Sequence, residues 1–97
     1  MTPLQDAVWR LRSLCKDAGI YTLSSLDCFV HAGAGGTQEQ IATNSHQSKS
    51  AAGIFLNMNE IHGLIALERK PNEKRKPISY TEDGQKLIAQ LTKLLCP

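Results

Sequence analysis

The chain of 97 residues lacks a long apolar run. No segment approaches the roughly 20 apolar residues that span a bilayer, and the N-terminal MTPLQDAVWRLRS has no extended apolar stretch behind a basic start. We therefore expect a cytoplasmic protein without a membrane partner. We also expect one domain over residues 1–97, because a chain of this length buries only a modest core.

Cysteine is scarce, and its spacing suggests no pairing. The three cysteines, Cys15, Cys28 and Cys96, are odd in number and far apart. This disfavours a disulfide framework and favours buried, unpaired thiols in a reducing compartment. The three histidines are equally scattered, so no metal site is expected.

The usual arrangements of catalytic residues are missing as well. The glycine-rich segment AGAGGT at 32–37 lacks the Lys-Ser/Thr ending of a phosphate-binding loop. No paired carboxylates and no nucleophile with its base stand out along the chain. We therefore expect neither an enzyme nor a bound cofactor.

Positive charge is present, but it is local. The net charge is only +2, yet five of the eleven Lys and Arg residues lie between Arg69 and Lys76. These five residues, which we call the basic loop, are Arg69, Lys70, Lys74, Arg75 and Lys76. Such clustering matters more for a charged partner than the total does.

Apolar residues at helical spacing predict three helices in the first half of the chain. The first spans residues 3–18 and stops at Gly19. The second is capped by Ser24, with Asp27 three positions later, and ends in the glycines. The third begins after a capping box that starts at Thr37, and its buried side holds Ile41-Ala42.

The second half predicts two more helices around a hairpin. Ser48 caps a helix that runs to about His62, and Thr81 opens the last one. Between them lie the β-prone runs LIALERK and KPISY, with a polar tip at Pro71–Glu73. The resulting order predicts a mainly α (α+β) winged helix-turn-helix fold with about five helices and one two-stranded hairpin.

This fold gives the basic loop a role. In winged helix-turn-helix proteins a recognition helix enters the major groove of DNA. The hairpin then lies along the backbone, where Lys and Arg displace phosphate counterions. We therefore expect the basic loop to be a DNA-contacting wing.

Several short motifs between residues 20 and 90 stand in one order. Ile41-Ala42 comes before the turn, and Gly63-Leu64 comes after the fourth helix. The wing ends in a series of spaced residues, Asn72, Lys74, Ile78, Tyr80, Thr81 and Gly84. In these motifs the chain resembles the MarR family of bacterial transcriptional regulators, which has an LA dipeptide before the turn, a GL dipeptide after the recognition helix and the wing pattern D-x-R-x-x-x-V-x-L-T-x-x-G. Asn and Lys here replace the family's Asp and Arg.

The turn departs from the usual helix-turn-helix pattern. His46 stands where glycine is common, and Ser45 and Gln47 stand where apolar residues are common. These substitutions predict a wider or differently packed turn.

The resemblance implies a regulator that binds double-stranded DNA, acting as a repressor by occluding a promoter. It implies a homodimer assembled through the terminal helices, 1–18 and 81–97, and allows a small-molecule effector. Trp9 and Tyr21 then belong to the core or the dimer interface. The residues expected to contact DNA are Thr37, Gln38, Ser48, Lys49, Ser50, Asn57, Arg69, Lys70, Lys74, Arg75 and Lys76.

Two interpretations of the fourth helix remain open. The resemblance turns Ile54 toward DNA and Phe55 toward the core. The best apolar stripe instead turns Ile54 inward and leaves Leu56 outside, and its members are Ala51, Ile54, Phe55, Met58 and Ile61. If Ile54 and Leu56 shared an exposed surface, a protein-interaction module would be favoured. A further alternative is an accessory protein in phage or plasmid DNA replication or recombination.

Overall fold

The computed structural model of the protein describes residues 2–33, 37–67 and 78–96. Helices and strands follow the predicted order of four helices, a hairpin and a last helix. Their bounds are α1 (Pro3–Asp17), α2 (Leu23–Ala32), α3 (Gln38–Asn44), α4 (Lys49–Ile61), β1 (Ile65–Leu67), β2 (Ile78–Tyr80) and α5 (Glu82–Leu95). No helix within these ranges is both long and apolar enough to cross a bilayer.

Hydroxyl side chains start the five helices α1 to α5. In each, a Thr or Ser side chain accepts the backbone N–H three residues later, which satisfies a donor that has no partner inside the helix. The caps are Thr2, Thr22, Thr37, Ser48 and Thr81. The predicted caps of α3, α4 and α5 are thus confirmed, including the capping box between Thr37 and Gln40.

The predicted cap of α2 is wrong by two residues. Thr22 has extended backbone angles and accepts the N–H of Ser25 at 3.1 Å. Ser24 therefore lies inside the helix. Asp27 does not complete a capping box, because its carboxylate is 2.8 Å from the ring of His31, one turn later. Two hydroxyl residues within three positions made the choice ambiguous in the sequence.

The hairpin is antiparallel. Ile65 pairs with Tyr80, Ala66 with Ser79 and Leu67 with Ile78. Ile65 and Ile78 are buried, so one face of the hairpin joins the core. The predicted tip at Pro71–Glu73 lies outside the described residues, as does the basic loop.

Among the described residues, one apolar core lies between the five helices and the hairpin. Phe29 of α2 is fully buried in it, and the predicted burial of Ile41 and Ala42 is confirmed. Leu87 and Leu91 contribute the buried face of α5, which packs against α1. Leu95, at the end of α5, is exposed.

The cysteines have two environments. Cys15 and Cys28 are buried, and burial raises the pKa of both thiols, which keeps them protonated and poorly nucleophilic. Cys96 is exposed, so the expectation of buried thiols is wrong for that residue. It follows the last turn of α5, where no described element covers it.

The N-terminal half of α1 exposes large apolar side chains. Leu4, Val8 and Trp9 are all more than half exposed, although Leu11 and Leu14 further along the helix pack against the core. Tyr21 is exposed as well. Trp9 and Tyr21 therefore do not belong to the core of the protomer.

Candidate nucleic-acid interface

The helices α3 and α4 form a helix-turn-helix with a compact turn. Backbone N–H groups of Ser45, His46 and Gln47 donate to carbonyls of the last turn of α3 at 2.9 to 3.2 Å. His46 has φ of 55°, the left-handed conformation that glycine adopts easily. The widening predicted from the sequence is therefore not observed, because histidine takes the glycine conformation itself.

The packing of the turn does differ from an apolar one, as the sequence predicted. Ser45 is buried, and its hydroxyl donates to the carbonyl of Ile41 at 2.6 Å. The amide of Gln47 donates to the carbonyl of Ser24 at 2.9 Å and reaches the sulfur of Cys28 at 3.2 Å. Ser45 thus closes the end of α3 and Gln47 ties the turn to α2, both through hydrogen bonds instead of apolar contacts.

The orientation of α4 decides between the two interpretations of its faces. Ile54 is 60% exposed, whereas Leu56 is 2% exposed. The core face of α4 consists of Ala52, Leu56 and Asn59, which have the spacing of one helical side. The apolar stripe predicted from the sequence is thus wrong for Ile54, and the orientation implied by the resemblance is confirmed. Ile54 and Leu56 share no surface.

The side of α4 that faces solvent, which we call the outer face, carries several of the predicted DNA contacts. Lys49, Ser50 and Asn57 are exposed on this helix. Ser48 is exposed too, and its hydroxyl accepts the N–H of Ala51 at 3.1 Å as the cap of α4. A hydroxyl that caps a helix can still donate its own hydrogen to an anion.

Gln38 joins the start of α3 to the start of α4. Its side-chain nitrogen donates to the carbonyl of Lys49 at 3.2 Å. A Cβ at Gly53 would lie 2.6 Å from the same nitrogen, so the absence of a side chain at Gly53 gives this amide its space. Thr37 caps α3, because its hydroxyl oxygen accepts the N–H of Gln40 at 3.3 Å. Gln38 and Thr37 therefore help to position the two helices.

The charge of the helix-turn-helix itself is unsuited to an anionic partner. Residues 37–64 contain one lysine, Lys49, and two glutamates, Glu39 and Glu60. In the sequence, most of the positive charge of this half of the chain lies in the basic loop, between the residues of β1 and those of β2. Its predicted contact residues, Arg69, Lys70, Lys74, Arg75 and Lys76, all lie outside the described residues.

A shallow depression lies along the exposed side of α1. It has a volume of about 230 Å³ and is lined by Trp9, Arg12, Ser13 and Lys16. Small-molecule sites usually measure roughly 300 to 1,000 Å³. The depression is therefore small for the effector that the resemblance allows.

Two positioning contacts were missed by the sequence analysis. Tyr80, the last residue of β2, hydrogen-bonds to carbonyls at the end of α2. Gln38 was predicted only as a DNA contact, but it also holds α4. The contact of Tyr80 could have been suspected, because a tyrosine stands there at the usual leucine position of the wing pattern. Nothing in the sequence indicated the contact of Gln38 with α4.

Solved structures share this fold at low sequence identity. The S. aureus MepR–DNA complex matches with a TM-score of 0.75 and 20% identity, covering 93% of this chain and 76% of that one. MarR matches with a TM-score of 0.66 and 22% identity, covering 94% of this chain and 71% of that one. A third match is Mb0332 from Mycobacterium bovis, a homodimeric winged helix-turn-helix DNA-binding domain described as a possible ArsR-family regulator. Its TM-score is 0.65 and its sequence identity 22%, and the match covers 94% of this chain and 80% of that one.

These matches confirm the predicted winged helix-turn-helix fold, and at the level of the fold they confirm the resemblance to MarR regulators. No protein-family model matches the chain, and neither does any curated protein.

Proposed function

We propose that this protein is a transcriptional regulator that binds double-stranded DNA as a homodimer. The observation that carries the proposal is the outer face of α4, which leaves Ser50, Ile54 and Asn57 exposed on a helix otherwise anchored in the core. In the matched MepR structure the same fold is in complex with DNA. A rigid helix with an uncovered face is what insertion into a major groove requires.

The outer face supplies groove and backbone contacts. Asn57 suits the N6 and N7 edge of an adenine, which its amide contacts through two hydrogen bonds. Ser48, Lys49 and Ser50, in and before the first turn of α4, donate to phosphates. Thr37 and Gln38, at the start of α3, add backbone contacts beside them.

The basic loop supplies most of the affinity. Because residues 37–64 carry only one lysine, phosphate neutralisation depends on the five Lys and Arg residues between β1 and β2. Each neutralised phosphate releases condensed counterions, so affinity gained in this way falls steeply with salt.

The terminal helices supply the dimer interface. Leu4, Val8, Trp9 and Leu95 are exposed apolar side chains at the outer ends of α1 and α5. Burying them against a second copy would remove apolar surface from water. The matched Mb0332 domain is homodimeric. In this arrangement residues 1–97 form one domain in which both the dimer interface and the DNA interface are present.

Repression by occlusion is the simplest mechanism for such a protein. A two-fold dimer places two copies of α4 on successive major grooves, about 34 Å apart, and therefore favours a palindromic site. A bound dimer covers that site and excludes polymerase from an overlapping promoter. The regulator needs no catalytic group for this action.

The proposal is tested by titrating the affinity for random duplex DNA against salt. We expect a steep dependence for the native protein. For Lys74→Ala/Arg75→Ala the slope should be flatter by about 0.9 for each phosphate that the variant no longer neutralises. The matched control is Arg12→Ala/Lys16→Ala, which removes one Arg and one Lys from α1. Its slope should equal that of the native protein.

Two results would contradict the proposal. Absence of binding at low salt would exclude DNA as the partner. Equal slopes for the two double variants would show that total charge, and not the basic loop, determines the affinity. Sedimentation of each variant verifies that the oligomeric state is unchanged.

A further inference from the structure

The outer face of α4 contains two isoleucines that the core does not bury, Ile54 and Ile61. Ser50, Ile54, Asn57 and Ile61 follow one another at intervals of four, three and four residues, so they project from one side of the helix. Ile54 is 60% exposed and Ile61 is 79% exposed. Leaving a branched apolar side chain in water forgoes the stabilisation that its burial would give.

Ile54 has polar neighbours along the outer face and the half-buried Ala51 and Met58 beside it. Ser50 precedes it by one turn and Asn57 follows it by one turn, while Leu56 is buried. At the adjacent position Gly53 has no side chain, and the amide of Gln38 occupies the space beside it. Ile54 is therefore the most exposed large apolar side chain in the first half of α4. Asn57 lies between Ile54 and Ile61 on this face, which therefore mixes polar and apolar side chains and is not the contiguous apolar patch that protein docking surfaces present.

A major groove offers one apolar group for such a side chain. Base edges there present hydrogen-bond donors and acceptors, and only thymine adds a methyl group, at C5. Since Ile54 has no hydrogen-bonding atom, it can favour a base only through that methyl.

We propose that Ile54 is a specificity-determining residue that contacts the 5-methyl group of a thymine in the major groove. This inference rests on the proposed function, because it concerns the same face of α4. Ile54 and Asn57 both lie within the first nine of the 13 residues of α4, toward the N-terminal end by which a recognition helix reaches base edges. Asn57, about 4.5 Å farther along the axis, addresses an adenine beside it. Each half-site therefore contains neighbouring A·T pairs.

Ile61 provides a matched control within the same helix. It is also an exposed isoleucine on the outer face, but it lies about 10.5 Å beyond Ile54 along the axis. It is the last residue of α4 and is followed by the turn to β1. At that distance it is beyond the part of the helix that enters the groove.

The experiment begins with selection of duplexes from a random library by the full native chain. In the enriched duplex each thymine is then replaced singly by deoxyuridine, which removes only the 5-methyl group. At one position in each half-site we expect the affinity to fall about fourfold, the effect of one buried methyl. Ile54→Ala should bind the thymine and uracil duplexes equally at that position, whereas Ile61→Ala should retain the fourfold difference.

Each outcome decides a different point. If no thymine is sensitive to loss of its methyl, or if Ile54→Ala keeps the difference, the assignment to Ile54 is overturned. Salt-dependent binding without any enriched sequence overturns the same assignment while leaving DNA binding intact. Failure to bind any duplex at low salt overturns the proposed function together with this inference. Because both isoleucines are exposed, thermal unfolding should show that both variants fold like the native protein.

Discussion

The hydroxyl of Tyr80 donates a hydrogen bond of 2.6 Å to the main-chain oxygen of Phe29, 51 residues earlier in the chain. The same hydrogen is shared with the main-chain oxygen of Val30, 3.0 Å from the hydroxyl oxygen, and the ring centroids of Tyr80 and Phe29 lie 5.0 Å apart. Both carbonyls belong to the last turn of α2, where helical partners are missing. Since β2 has only three residues, this contact is a main attachment of the hairpin to the helical core.

Replacing Tyr80 by phenylalanine tests that attachment. Tyr80→Phe keeps the ring but removes the one donor that the two carbonyls share, so the free energy of unfolding should fall by about 1 to 2 kcal/mol. Tyr21→Phe is the control, because Tyr21 is exposed and should change little. Urea unfolding followed by circular dichroism measures both variants. Equal stability of the two would show that the bonds contribute nothing.

The same hydroxyl makes stability depend on alkaline pH. Burial raises the pKa of Tyr80 above its ordinary value of 10.0, so the folded state holds the proton more tightly than the unfolded state. The resulting stabilisation is present below about pH 10 and is lost as the pH rises through the folded pKa. The stability difference between the native protein and Tyr80→Phe should therefore shrink at high pH.

Unfolding of both proteins at pH values from about 7 to above 10 gives this comparison. Burial also raises the pKa of the Cys15 and Cys28 thiols, but their contribution is common to both proteins and cancels in the difference. A difference that stayed constant with pH would exclude Tyr80 as the source.

Gly84 marks a close approach between α5 and the start of the hairpin. A Cβ at this position would overlap the main-chain oxygen of Leu64, which cannot rotate away as a side chain would. That oxygen also accepts the N–H of Thr81 at 3.1 Å. Gly84→Ala should therefore lower the free energy of unfolding by about 3 kcal/mol through displacement of backbone.

Gly63→Ala is the matched control for that substitution. Gly63 has φ of +74°, but its Cβ would meet nothing within 4 Å, so only the cost of a left-handed alanine applies. We expect a loss of about 1 kcal/mol for this variant. Thermal unfolding measures both substitutions, and a larger loss at Gly63 than at Gly84 would contradict the steric explanation.

The order of elements could be predicted from the sequence because its signals are local. A hydroxyl residue before each helix and a glycine after α1 and α4 act through hydrogen bonds only a few residues long. The cap of α2, predicted at Ser24 and observed at Thr22, shows that such signals locate a helix start only to within about two residues. These signals predicted the fold, and the exposed polar residues of α4 followed from it.

The rotation of α4 could not be predicted from periodicity, because one buried residue on its core face is polar. Ala52, Leu56 and Asn59 are nearly inaccessible, whereas an apolar pattern selects Ile61 in place of Asn59. The amide of Asn59 has no hydrogen-bond partner for its nitrogen within the described ranges, an arrangement that no sequence rule favours. Tertiary packing against α2 and α3 therefore determined the outer face.

The exposed apolar end of α1 gives the last prediction, which concerns the dimer. Val8→Glu/Trp9→Glu should weaken self-association, because two carboxylates would have to lose water in the interface. Leu23→Glu is the control, since Leu23 is 79% exposed but belongs to α2 and not to the terminal helices. Sedimentation equilibrium should find the native protein and the control dimeric and the double variant monomeric.

Loss of the dimer should also weaken DNA binding, because each half-site is then bound by one protomer alone. The double variant should therefore lose most of its affinity for a selected palindrome, while it keeps its thermal stability at low protein concentration. A monomeric native protein, or equal disruption by Leu23→Glu, would exclude α1 as the interface.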